Sequence, residues 1–237
     1  MLTQLFNKVS DEEKTEAIKK LMENSIPSNG FFLMVFLSVT MATFGLLINN
    51  SAVIVGSMLI APILYPVLGL SMGIIMSDNL LITKSFFTFG KAAILGVIVS
   101  ALVTLLFSSQ ITTTSNTLIN LTKPTLISFM IGAVAGFAAA FAIVKRKFNE
   151  MLPGVAISVA LIPPLAVVGI GLAKFNITMF MNSLLLFILN TAGIIFTAIV
   201  VFSLMNFYVK RKEAEKIVAK EEKKIAKEEE VKPEETI

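Results

Sequence analysis

Along most of this chain the apolar residues do not alternate with polar ones at a strand or helix period; they run on in long blocks. Six blocks stand out, at 31–48, 51–76, 90–107, 124–144, 152–173 and roughly 179–207. An apolar helix of about 18 residues or more is long enough to cross a ~30 Å hydrocarbon core. The pattern predicts an all-α polytopic membrane protein with about six transmembrane helices across 31–209. A short N-terminal segment at 1–30 precedes them and a charged tail at 210–237 follows.

Two of the blocks are interrupted. The second reads Asn49-Asn50-Ser51, then Gly56-Ser57, then Ala61-Pro62-Ile63-Leu64-Tyr65-Pro66, Gly69 and Gly73; the fifth carries Ser158 and Pro163-Pro164. Proline inside a helix removes an amide donor and clashes with the carbonyl four residues back. The carbonyls around Met58 and Pro62, and those near Val159 and Ala160, are therefore expected to lose their regular partners. Backbone opened in this way is tolerated in a bilayer only where it is buried in protein or faces water.

The interruptions occupy matching places. Sliding the sequence by 102 residues lays Leu59-Ile60-Ala61-Pro62 on Leu161-Ile162-Pro163-Pro164, and Gly69-Leu70 on Gly171-Leu172. Each half, about 31–108 and about 124–209, then holds three crossings, and an odd number makes the second half run opposite to the first. The expected fold is two inverted three-helix repeats with Pro/Gly-broken second and fifth helices, which in transporters places the binding site at the midplane. Ser57, Pro62, Pro66, Ser158, Pro163 and Pro164, with Asn49, Asn50 and Asn190, are the candidate pathway for a small solute or ion.

The same offset lays 179–192 on 77–90, where Ser77-Asp78-Asn79 makes a helix N-cap followed by an amphipathic stretch that resembles an interfacial piece leading into the third span. The last block is then either a shallow piece breaking near Asn190-Thr191-Ala192-Gly193 before a true span, or one long tilted helix. The small-residue pairs Gly69/Gly73 and Gly132/Gly136, with Gly169 and Ala173, suit close helix packing. Glycine-rich faces also leave a homo-oligomer open.

Composition agrees with a lipid environment: 55% of residues are hydrophobic, and between Glu23 and Glu150 the one acidic residue is Asp78. Charge sets the orientation, because short loops rich in lysine and arginine stay cytoplasmic. With the N-terminus inside, the inner segments hold Lys8, Lys14, Lys19, Lys20, Lys84, Lys91, Lys145, Arg146, Lys147 and Lys210-Arg211-Lys212; the outer ones hold Lys123 and Lys174. Both termini are expected in the cytoplasm, in a cell membrane. The net charge of +4 reflects this asymmetry, since no basic face interleaved with aromatics points to nucleic acid. The charged start of 1–30 has no apolar core of a cleaved signal peptide.

Residue types also narrow the chemistry. There is no cysteine and no histidine, so thiolate and imidazole metal sites are excluded and neither a metal nor a cofactor is expected. An enzyme would need an activated nucleophile or paired acids within the spans, and a Ser-Lys pair using Lys84 or Lys91 would sit at the inner interface. The polar residues within the spans are hydroxyls such as Ser38, Thr43, Ser57, Ser100, Ser128 and Ser158. A proton pump with internal acids fits poorly. A transporter or channel-like protein is the expected function; the alternative is a structural, assembly or lipid-handling membrane protein.

The stretch Ser51-Ala52-Val53-Ile54-Val55-Gly56-Ser57-Met58-Leu59-Ile60-Ala61-Pro62, continuing through Pro66 to Gly69, resembles a hallmark of a prokaryotic membrane family. Val155-Ala156-Ile157-Ser158-Val159-Ala160-Leu161-Ile162-Pro163-Pro164 resembles its second hallmark. That family is described as an uncharacterised hydrophobic domain, domain-of-unknown-function family 389, and the resemblance covers roughly 30–208. It implies a prokaryotic origin and a membrane location, and it brings no substrate. Many relatives carry a soluble domain ahead of the membrane part, where this chain has about thirty residues.

Overall fold

The computed structural model describes residues 9–25, 28–107, 123–145 and 161–207. Of these residues 87% are helical and none is in a strand. In chain order the helices are α1 (Asp11–Ser25), α2 (Asn29–Leu47), α3 (Ser51–Ile60), α4 (Leu64–Met76), α5 (Asn79–Phe107), α6 (Leu126–Val144), α7 (Ile162–Ala173) and α8 (Ile177–Leu204). Four of them, α2, α5, α6 and α8, are long and apolar enough to cross a membrane; α3 and α4, bent by 50° at a short break, make a fifth if taken as one span.

Three connections share one corner. Asn49, Ser77 and Phe175 each take a left-handed φ, of 54°, 52° and 51°. The next residue donates its amide back to the glycine five positions earlier: Asn50 to Gly45 O at 2.8 Å, Asp78 to Gly73 O and Asn176 to Gly171 O, both at 2.9 Å. This is a Schellman closure. That residue then caps the following helix. Asn50 Oδ1 accepts from Ala52 and Val53, Asp78 Oδ1 from Leu80 and Leu81, and Asn176 Oδ1 from Met179. Glycine is required because the two helices almost touch: a Cβ would lie 3.0 Å from Ile54 N at Gly45, 3.0 Å from Ile82 N at Gly73 and 2.8 Å from Phe180 N at Gly171.

Close glycine approaches also fix the helix directions. Gly69 faces Ser85 and Gly73 faces Ile82, so α4 and α5 are antiparallel. Gly96 faces Val39 and Leu165, while Thr43 and Ala166 both bond Ser100, so α2, α5 and α7 run parallel. Gly132 faces Asn190 and Gly136 faces Ile194, so α6 and α8 run parallel to each other. The tight corner at Gly171 turns α8 back against α7.

The N-terminal segment contributes more than a soluble end. In α1, Ala17, Ile18, Leu21, Met22 and Ser25 are buried at i, i+1, i+4, i+5 and i+8, one amphipathic face, and this helix packs on α4, α5 and α6. A capping box between Ser10 and Glu13 starts it. Glu13 pairs with Lys145 at 3.2 Å, and Lys14 donates to Asn206 O and lies 5.9 Å from the Phe207 ring centroid. α1 thus gathers the ends of α6 and α8 with the start of α5.

Two long elements depart from the interfacial-piece expectation. The stretch from Asn79 through Gly90 to Phe107 is one 29-residue helix, and Ile177–Leu204 is one 28-residue helix without a break at Asn190-Gly193. No proline enters either, and the hydroxyls of Thr191 and Thr197 bond carbonyls one turn back, at Phe187 and Gly193, leaving the ladder whole. The first part of the fifth predicted span, 152–160, lies outside the described residues, as do 108–122 and the tail beyond 207.

Candidate functional site

The second interrupted segment opens at Ala61. This residue, forced out of helical space by the proline that follows, has φ −80° and ψ 123°. The chain re-enters a helix at Leu64, so Pro66 sits in the first turn of α4, where a missing amide leaves no helical carbonyl without its donor. The backbone around the break is partly re-bonded: Ser38 Oγ donates to Ser57 O at 2.6 Å and Tyr65 N to Pro62 O at 3.3 Å. Ser57 is fully buried, its hydroxyl donating to Ile54 O. Asn49 and Asn50 belong to the corner between α2 and α3, where Asn50 acts as a cap.

In the fifth segment Pro163 and Pro164 occupy the first turn of α7, fully inside the bundle. Ser158, and the carbonyls of Val159 and Ala160, lie outside the described residues. α7 packs along α5, α8 and α2 and touches α3, whereas α4 packs on α5 and α8. The long helices α5 and α8 therefore stand beside both proline-bearing segments. Ser100 ties three helices together: it accepts from Thr43 at 3.0 Å and donates to Ala166 O at 2.6 Å.

The glycines singled out in the sequence stand where helices meet. A Cβ at Gly169 would come within 2.6 Å of Val97 O, one at Gly136 within 2.5 Å of Thr197 Oγ1, and one at Gly132 would collide with the Asn190 backbone. Gly69 lies against the hydroxyls of Ser25 and Ser85, and Gly73 against the start of α5.

Between α5 and α8 the rings of Phe89 and Phe187 stack, with centroids 5.6 Å apart and planes 6° from parallel. Asn190 follows Phe187 by three residues on the same helix and is 5% exposed. Its Oδ1, together with Ser85 Oγ and Thr88 Oγ1 on α5 and Asp78 Oδ2 at the corner, is buried without a hydrogen-bond partner among the described residues. Of these four, sequence reasoning selected Asn190 alone for the pathway. The available signal for Ser85 and Thr88 was their spacing of seven and ten residues from Asp78, the one acid in the central region. Among the described residues no cluster of three acids, cysteines or histidines could hold a metal ion.

Comparison with known proteins gives a family and no activity. The family described as "Domain of unknown function (DUF389)" matches residues 58–196, which include both proline-bearing segments. An uncharacterized protein of Methanocaldococcus jannaschii is 29% identical over 212 residues, 85% of this chain; the alignment covers 65% of that relative's length. No solved structure matches.

Proposed function

Since this chain belongs to the domain-of-unknown-function family 389, whose description carries no activity, we propose from the geometry that it is an integral membrane transporter or channel-like protein built on two inverted repeats. Its solute or ion would pass between the repeats, near the starts of α4 and α7.

One observation carries this reading. α4 and α5, at 64–76 and 79–107, have the lengths and the corner of α7 and α8, at 162–173 and 177–204, when the sequence is shifted by 98 residues. That shift lays Pro66 on Pro164, Gly73 on Gly171 and the cap Asp78 on Asn176. The matched helices run in opposite directions: α4 is antiparallel to α5, and α7 is parallel to it. α2 and α6 extend the match, because Val39 meets Gly96 in one set and Gly136 meets Ile194 in the other, within one residue of the same register. Phe89 and Phe187, also 98 apart, stack on each other, as equivalent residues do at a two-fold axis. A pseudo-two-fold axis relating opposed helix sets is the plan of many transporters, with the site at the repeat interface.

The end of the bundle that holds α1, Lys145 and Asn206 coincides with the lysine-rich segments expected inside, which supports cytoplasmic termini. The bent pair α3–α4 then reads as one broken span. Flux of candidate ions and neutral solutes into proteoliposomes tests the proposal, using Pro62→Ala and Pro164→Ala variants that keep their helical content. Loss of flux is expected. Flux unchanged from wild type would remove the proline segments from the pathway, and absence of any flux would favour the structural or lipid-handling alternative.

A further inference from the structure

The stacked rings of Phe89 and Phe187 divide the polar interior unequally. α5 runs away from the end covered by α1 and α8 runs toward it, so residues before Phe89 and residues after Phe187 lie on the α1 side. The four buried oxygens without partners among the described residues, Asp78 Oδ2, Ser85 Oγ, Thr88 Oγ1 and Asn190 Oδ1, all fall on that side. At 1.5 Å rise per residue their residues stand ~16, ~6, ~1.5 and ~4.5 Å from the level of the rings. Asp78, Ser85 and Thr88 recur at i, i+7 and i+10 and so share one face of α5. Folded proteins keep few buried polar atoms unbonded, and each calls for a reason.

Asp78 offers an independent clue. The other two corners of the same geometry use an asparagine at its position: Asn50 accepts from the amides two and three residues on, as Asp78 does, and Asn176 accepts from the amide three residues on. The cap therefore does not require a carboxylate. The charge appears at the corner whose helix continues through Ser85 and Thr88 to the aromatic pair. Ser25, in the last turn of α1, donates to Tyr65 O at 3.4 Å and meets Gly69 beside Ser85, closing α1 over this row.

We propose that these oxygens form the α1-side half of a pathway for a small monovalent cation of alkali-metal or ammonium type, with Phe89 and Phe187 as its gate. This rests on the transport reading above. Every unbonded atom in the row can accept, and hydroxyl and amide oxygens can replace part of a cation's hydration shell. A carboxylate at the α1 end of the row raises the local cation concentration. A neutral solute would gain nothing from that charge.

The test is thallium(I) influx into proteoliposomes of the full chain, read with an enclosed fluorescent indicator, beside glycerol permeation read by light scattering. Asp78→Asn keeps the cap found at the other corners, so it removes charge without removing the helix start. It is expected to lower thallium influx by about tenfold, equivalent to ~1.4 kcal/mol. Ser85→Ala with Thr88→Ala lowers it further, Thr88→Ser restores it in part, and Phe89→Ala raises it. If Asp78→Asn and the hydroxyl variants leave influx unchanged while Pro62→Ala abolishes it, the cation row is wrong and the transport reading stands. Glycerol permeation without thallium influx also overturns the cation assignment. If neither probe moves through wild type or Phe89→Ala, the cation pathway is wrong, and the transport reading falls only if the wider panel of ions and neutral solutes also fails to move.

Discussion

The proposed inverted arrangement rests on the parallel register of α5 and α7, which can be tested with one pair of side chains. A Cβ on Gly96 would sit 2.6 Å from Leu165 Cδ2 and 3.3 Å from Val39 Cγ2. Gly96→Ala gains about 1 kcal/mol of helix propensity and loses about 1–3 kcal/mol to overpacking, a net cost of roughly 0–2 kcal/mol. Leu165, 1% exposed, opens a cavity when cut to Ala, at about 2–5 kcal/mol in aqueous cores. The lower half of that range applies in a bilayer, where lipid also solvates the unpacked side chain. In the double variant the new methyl enters the space left by the leucine. The double variant should therefore be less destabilised than the sum of the singles, by about 1–2 kcal/mol. Unfolding in mixed micelles with rising dodecyl sulfate, followed by circular dichroism, measures all four corners of the cycle. Leu172→Ala, on the exposed part of α7, serves as a control expected to add independently with Gly96→Ala. Additivity within about 0.5 kcal/mol for the Gly96–Leu165 pair would refute this register, and with it the opposed directions of α4 and α7.

Two further outcomes follow from the packing. Gly90 has open space where a Cβ would go and Gly132 has the Asn190 backbone there, so Gly90→Ala should stabilise by about 0.5–1 kcal/mol and Gly132→Ala destabilise by about 1–3 kcal/mol in the same micelle titration. The Glu13–Lys145 pair is about one-fifth exposed, so Glu13→Lys should loosen α1 by roughly 1 kcal/mol, about fivefold in its amide hydrogen exchange; adding Lys145→Glu should reverse this, and exchange unaffected by either change would show that the pair does not hold α1.

That several helices are long and apolar enough to cross a membrane was legible, because this needs only uninterrupted apolar length. The family resemblance was legible for a similar reason, since the match to 58–196 includes the proline segments that carry it. Element pairing was harder. The repeat of Leu-Ile around the prolines suggests an offset of 102, whereas helix bounds agree at 98. Local identity competed there with the spacing from glycine to cap, and the spacing sets where helices end. Gly90 suggested the start of a span because glycine weakens isolated helices, yet buried neighbours on both sides carry α5 straight through it. Docking of α1 was foreshadowed by the spacing of Ala17, Ile18, Leu21 and Met22, but sequence alone did not reveal the partner surface. The row of unbonded oxygens was invisible for a different reason: whether a membrane hydroxyl satisfies its own helix or faces an interior depends on its neighbours, as Ser71 and Ser85 show, one bonded to Val67 O and the other not.

The three glycine corners bear on how such a protein could move. Each joins the last carbonyls of one helix to the first amides of the next within about ten residues, so no slack remains to absorb rotation, and the paired helices must swing together like the arms of a set square. The join at Ala61–Ile63 is built differently, with an extended residue, a proline and a single 3.3 Å turn bond. Among the described connections, mechanical compliance is thereby concentrated in one soft joint beside three stiff elbows, and a hinge there would carry α4 and α5 together as a single lever.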